Sequence, residues 1–188
     1  FNDLKQAEAQ AREAQIETAL ERIRARALAM HSSEEFREVA GVLRQQMGLL
    51  GQPELESSIV HLYNGDAEIF SSWYAFSAPG DSSGKTITGF VQVHKNSTEW
   101  SREVMTNYLS PQTEYTIVSR GKKLKEWYRL LEKVVPEVVE YDGAGELVVP
   151  PVLYYHFSKF SGGALLIISN QEPSVETREL LKRAAAVF

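Results

Sequence analysis

Two stretches of the chain alternate apolar and polar residues on either side of a tight-turn signal. This pattern constrains the fold more than any other. Residues 57–63 (SSIVHLY) and 67–76 (AEIFSSWYAF) flank Asn64-Gly65-Asp66. Residues 152–160 (VLYYHFSKF) and 163–169 (GALLIIS) flank Ser161-Gly162-Gly163. A period of two is the signature of a strand with one face buried, and Asn-Gly supplies the positive φ values that a short hairpin needs. Strands joined by tight turns are antiparallel. Residues 86–94 (TITGFVQVH) read as a further strand and 115–119 (YTIVS) as a short strand or loop.

Helical periodicity occupies the rest. Residues 3–31 contain neither Gly nor Pro and are rich in strong helix formers. Within them Ile16, Leu20, Ile23, Ala27 and Met30 follow a 4-3-4-3 spacing, a short heptad seam. Leu4, Ala7, Ala11 and Ala14 form an earlier stripe in a different phase, so the seam is not continuous. Two readings stay open: a dimer-forming connector, or a long amphipathic helix folded onto its own domain. Ser32-Ser33-Glu34-Glu35 reads as a capping box that restarts a helix through about Leu50, stopped by Gly51 and Pro53. Residues 98–109, capped by Ser97 or Thr98, read as helical. So do residues 122–134, with Leu124, Trp127, Leu131 and Val134 inward, and a last helix from Ser174. A long connection rich in Pro and Gly runs from Pro136 to Pro151. Hairpins in the middle with helices at both ends predict an α+β fold, its antiparallel sheet covered on one face by the terminal helices.

Composition excludes several chemistries. With no cysteine among 188 residues, there is no disulfide framework, thiolate nucleophile or zinc–thiolate site. A net charge of −5 opposes nonspecific nucleic-acid binding, which needs cations to neutralise phosphates. No run approaches the roughly 20 apolar residues of a membrane span. The chain starts at Phe1 and stops at Phe188 within an apparent helix, which reads as a segment of something longer.

Residues 5–35 resemble the connecting helices of large bacterial sensor histidine kinases and related multidomain regulators. The whole pattern resembles a GAF-like sensory domain. The resemblance implies a connecting helix over residues 1–31 and a GAF-like domain over 32–188. It implies a non-catalytic input module in the cytoplasm, of the two-component type. That module is homodimeric through its N-terminal helix, acts on neighbouring domains, and touches neither nucleic acid nor membrane. It names no ligand or cofactor: family members include cyclic-nucleotide, tetrapyrrole and redox sensors. Covalent bilin attachment is impossible without cysteine, and Lys95-Asn96 gives only two reversed residue types of the cyclic-nucleotide motif. The alternative is a spacer of the same fold that binds nothing.

Site chemistry is sparse. Gly80–Thr86 (GDSSGKT) has three residues between its glycines where a phosphate loop needs four, and a strand follows instead of a helix. His61, His94 and His156 fall on predicted strands without metal spacing, and His31 lacks a kinase context. Glu137, Glu140, Asp142 and Glu146 read as a solvated acidic loop, and the basic run from Arg120 to Lys133 as a solvated helix face. Aromatic residues carry more. Trp73, Tyr74, Phe90, Trp100, Tyr155 and His156 are the candidates for a small-molecule pocket, although half of each alternating set must be core.

Overall fold

The helix-forming composition of the first thirty residues produces one long helix, α1 (Asn2–Leu28), in a computed structural model that describes residues 2–51, 57–77 and 85–188. A single 3₁₀ turn (Ser33–Glu35) leads into α2 (Phe36–Leu49). Then come β1 (Ser57–Leu62), β2 (Ile69–Ser77), β3 (Thr86–His94), α3 (Glu99–Leu109), β4 (Glu114–Arg120) and α4 (Gly121–Val134). A second 3₁₀ turn (Pro136–Val138) precedes the two-residue strands β5 (Glu140–Tyr141) and β6 (Leu147–Val148). The chain closes with β7 (Val152–Phe160), β8 (Gly163–Ser169) and α5 (Val175–Ala185). The small β5–β6 hairpin lies inside the Pro/Gly-rich connection, where alternation is too short to read. The loop of the phosphate-binding decoy, residues 80–84, and Pro53 lie outside the described residues.

Six strands make one antiparallel sheet in the order β3-β2-β1-β8-β7-β4. This is the expected α+β class. The two hairpins form with Gly65 and Gly162 at positive φ (37° and 86°), a conformation that a β-carbon disfavours. β1 and β8 then join the hairpins, with Val60 opposite Leu165 and His61 opposite Ala164.

Alternation sends neighbouring residues to two different cores. On one face Val60, Ala75, Leu165 and Ile167 pack beneath α1, α2 and α5 through Ile23, Leu43, Leu181 and their neighbours. On the other face Phe70, Ile117, Tyr155 and Phe157 meet Trp100 and Val104 of α3 and Leu124 and Trp127 of α4.

The seam of α1 is spent within the chain. Ile16, Leu20 and Ile23 are buried in the first core, and Ala27 and Met30 are half-buried. The dimer seam expected from the heptad spacing is therefore corrected over Ile16–Ile23, because α2 and α5 already cover those side chains. Residues 3–11 are exposed throughout. The expected capping box at Ser32 is not formed. The Glu35 carboxylate accepts instead from the His31 amide at 3.0 Å and pairs with Arg26 at 2.9 Å, and α2 starts only at Phe36. In α3 Thr98 is the cap, accepting from the Ser101 amide in a reciprocal box.

Ile23→Ala should lower unfolding stability by roughly 2–4 kcal/mol in a urea titration, as for other large-to-small core changes. Leu4→Ala, at a position 62% exposed, should change it by less than about 0.5 kcal/mol.

Candidate functional site

The face of the sheet away from α1, α2 and α5 does not close completely. Between β1–β3 and α4 it leaves a cavity of about 480 Å³. Ile59 and His61 of β1, Phe70, Ser72 and Tyr74 of β2, and Val91 and Val93 of β3 supply the floor. Trp100 of α3 and Trp127, Tyr128 and Leu131 of α4 supply a wall. Val135, Val138, Glu140, Val148 and Pro150 of the connection after α4 complete it as a strap. The volume and the apolar lining with a few polar groups suit a small organic molecule.

Aromatic contacts set the wall. Trp100 stacks on Trp127 at 4.1 Å between ring centroids and tilts against Tyr155 at 5.0 Å. The strap is fixed across the cavity by Tyr74, whose hydroxyl donates to Glu137 Oε1 at 2.5 Å. Burial first, and then this bond, raises the Tyr74 hydroxyl well above its ordinary value. Tyr74 reaches Glu137 because it lies flat over Gly89, its partner on β3. A β-carbon at residue 89 would sit 2.1 Å from the Tyr74 hydroxyl oxygen. Glu137 and Glu140 of the expected acidic loop thus belong to the strap, while Asp142 Oδ1 caps the amides of Ala144 and Glu146.

His61 sits in the floor, 2% exposed. Its ring lies 4.7 Å from Phe70 and edge-on to Trp100 at 6.2 Å. Burial pulls its pKa down to about 3, so the ring is neutral at physiological pH. Nδ1 lies 2.9 Å from the Tyr63 hydroxyl.

Of the six pocket candidates, Tyr74, Trp100 and Tyr155 line the cavity. Trp73, Phe90 and His156 do not, because each has the opposite strand parity. Trp73 packs between Phe90 at 4.9 Å and Phe36 of α2 at 5.3 Å. His156 faces α5 and shares a hydrogen bond with Thr116 at 2.8 Å, its pKa lowered to about 4 by burial and then by Arg178. Ile59, His61 and Ser72 follow from the same parity once Tyr74 is placed, since Ile59 pairs with Tyr74 and His61 with Ser72. Nothing in the spacing points to the strap. Among the described residues no group of three or more His, Cys, Asp or Glu side chains could hold a metal. Among the described residues, no helix is long and apolar enough to cross a membrane.

No protein-family model, curated protein or solved structure matches this chain. Function is therefore read from the site itself.

Both buried histidines fix a pH dependence. Their ordinary pKa is 6.5, and in the fold they stay neutral down to about 3 and about 4. As pH falls below 6.5 the unfolded chain binds protons that the folded chain refuses. Stability is thus full above about 6.5 and declines below it, by roughly 1.4 kcal/mol per pH unit for each histidine. Urea unfolding between pH 7 and 4.5 should show this slope, and His156→Gln should roughly halve it.

Proposed function

We propose that this chain is a non-catalytic sensory module of a bacterial signalling protein. It has a GAF-like fold, is cytoplasmic, belongs to the two-component sensor kinase type, and binds a small molecule in the cavity. One observation carries the reading. A single sheet separates a cavity of about 480 Å³ from a core built by both terminal helices. β1 and β2 of the floor also contribute to that core, through Val60 and Ala75. Ile59 and His61 line the cavity while Val60 packs under the helices. A ligand that prefers one arrangement of β1 and β2 therefore biases the packing of α1, α2 and α5, which is a population shift.

The helices have somewhere to carry such a shift. The middle of α1 is held to α5 by Arg12 with Glu176 at 2.5 Å and by Arg183 with Glu13 at 2.6 Å. Its first turns stand clear of the domain, exposing Leu4 and the alanine stripe Ala7 and Ala11. We place the homodimer contact on this stripe, with neighbouring domains of the parent protein as the receivers. Light scattering should give a dimer for the chain and a monomer once residues 1–11 are removed. A chain that is monomeric throughout the micromolar range removes the dimer from the reading.

Ligand binding is tested by thermal unfolding against a broad panel of small metabolites. A true ligand at 100 times its Kd should add about 2.7 kcal/mol to stability. It should also quench tryptophan fluorescence, because Trp100 and Trp127 form the cavity wall. Ser72→Trp, which fills the cavity, should abolish both effects. The absence of any shift across the panel overturns the sensory reading and leaves a spacer of the same fold.

A further inference from the structure

We propose that the strap from Val135 to Pro150 is the gate of this cavity, and that the hydrogen bond between Tyr74 and Glu137 is the latch that holds it shut. This rests on the ligand-binding reading above and concerns how the same site opens.

The strap is built as a separate piece. The amides of Val138 and Val139 donate within it, to the carbonyls of Val135 and Pro136. The Asp142 amide donates to the Glu146 carbonyl and closes the turn between β5 and β6. Those two strands form a small sheet of their own. Tyr141 fastens the piece to α4 by donating to Glu132 Oε1 at 2.9 Å. Residues 140–146 are exposed throughout. A segment with exposed backbone and few buried apolar contacts opens at low free energy. The other boundaries are tied more firmly. The floor is continuous sheet. The wall is joined by the stack of Trp100 on Trp127, by Lys123 with Glu103 at 2.6 Å, and by Glu126, which accepts from the Glu99 amide at 2.8 Å.

Among the described residues one hydrogen bond joins strap to floor, from the Tyr74 hydroxyl to Glu137 Oε1 at 2.5 Å. A hydroxyl donating to a carboxylate makes a short, charge-assisted bond, stronger than one between neutral groups. Burial holds the Tyr74 hydroxyl above its ordinary pKa, so it stays a donor at physiological pH. Gly89 makes the latch possible. Glycine inside a strand weakens it and marks a close approach. A β-carbon at residue 89 would fall 2.1 Å from the Tyr74 hydroxyl oxygen and 2.2 Å from its ring carbon Cζ. Any other residue there would move the ring off its line to Glu137. Breaking this bond frees the strap from the floor while its turns and its tie to α4 stay intact, and the cavity opens on that side.

Hydrogen exchange and fluorescence quenching, both without ligand, test the gate. Tyr74→Phe removes the donor, and Glu137→Ala removes the acceptor at an exposed position where folding is not at stake. In either variant the amides of Val138 and Val139 should exchange roughly tenfold faster, the worth of one such hydrogen bond, while those of α3 and β8 keep their wild-type rates. Glu137→Gln, which keeps an acceptor for the hydroxyl, should lie between wild type and Glu137→Ala. In a Trp73→Phe background only Trp100 and Trp127 emit. Acrylamide, a small neutral quencher, should then reach them several times faster in Tyr74→Phe and in Glu137→Ala. Unchanged exchange at Val138 and Val139 in Glu137→Ala overturns the latch. Faster exchange with unchanged quenching overturns the gate, since the strap then opens without admitting anything. If Tyr74→Phe speeds every amide alike it has lost its fold, and Glu137→Ala alone decides. The metabolite panel separately decides whether a ligand uses the entrance, and a panel without hits leaves these rates untouched.

Discussion

The pairing of β1 with β8 holds the rest of the molecule together. It is the only contact in the described sheet that joins the two hairpins, and it brings residues 57–62 against 163–169 across about a hundred residues of chain. Closing so long a loop is entropically unfavourable, although the cost rises only slowly with length. What offsets it is apolar burial on both faces at the same strands. Val60, Leu165 and Ile167 go under the terminal helices, and Ala164 and Leu166 go to the opposite core. A one-residue slip of this pairing would exchange the two faces and put His61 under α2. Register is therefore specified twice, once by each core.

That double duty explains where polar groups are tolerated. Sequence neighbours separate to environments of different kinds. Tyr74 finds Glu137 on the cavity side, whereas Trp73 meets only rings on the helix side. On the helix side Ser58 Oγ and His156 Nε2 are buried with no hydrogen-bond partner among the described residues. Unpaired polar atoms of this kind cost stability. The ion pairs between α1 and α5 do not repay it, since all involve partly exposed side chains and such pairs contribute little. The helix layer is held chiefly by Ile16, Leu20, Ile23, Leu43 and Leu181.

The strands were legible because period-two alternation and glycine turns are local signals. β3, β7 and β8 begin and end where the sequence predicts them. The faces were not legible, because alternation assigns residues to two sets without saying which set meets the helices. Trp73, Phe90 and His156 fell on the wrong side of that choice, and Tyr74, Trp100 and Tyr155 on the right one. The capping box at Ser32 failed for a non-local reason: Arg26, a turn before the break in the helix, takes the Glu35 carboxylate. The heptad seam was real as an apolar stripe, but a stripe does not name its partner, and α2 and α5 supply it. The strap escaped because two-residue strands carry no period at all.

The cavity and the projecting helix are linked through very few side chains, and in the proposed sensory reading that limits how a signal would pass. β2 touches the cavity through Phe70, Ser72 and Tyr74 and the helix core through Ala75, beside Trp73 against Phe36 of α2. Close-packed cores deform little and respond by switching between discrete packings. A ligand that displaces Tyr74 must either break its bond to Glu137 or push the strap with it, because Gly89 leaves the ring no room to settle deeper. Movement of the strap reaches α4 but not α1. Movement of β2 reaches α2 through Trp73 and Phe36, and from there α1 through their shared core. The route from site to helix therefore runs through the sheet. In the proposed reading, substitutions at Trp73, which is not among the residues lining the cavity, would act on that route without altering the site itself.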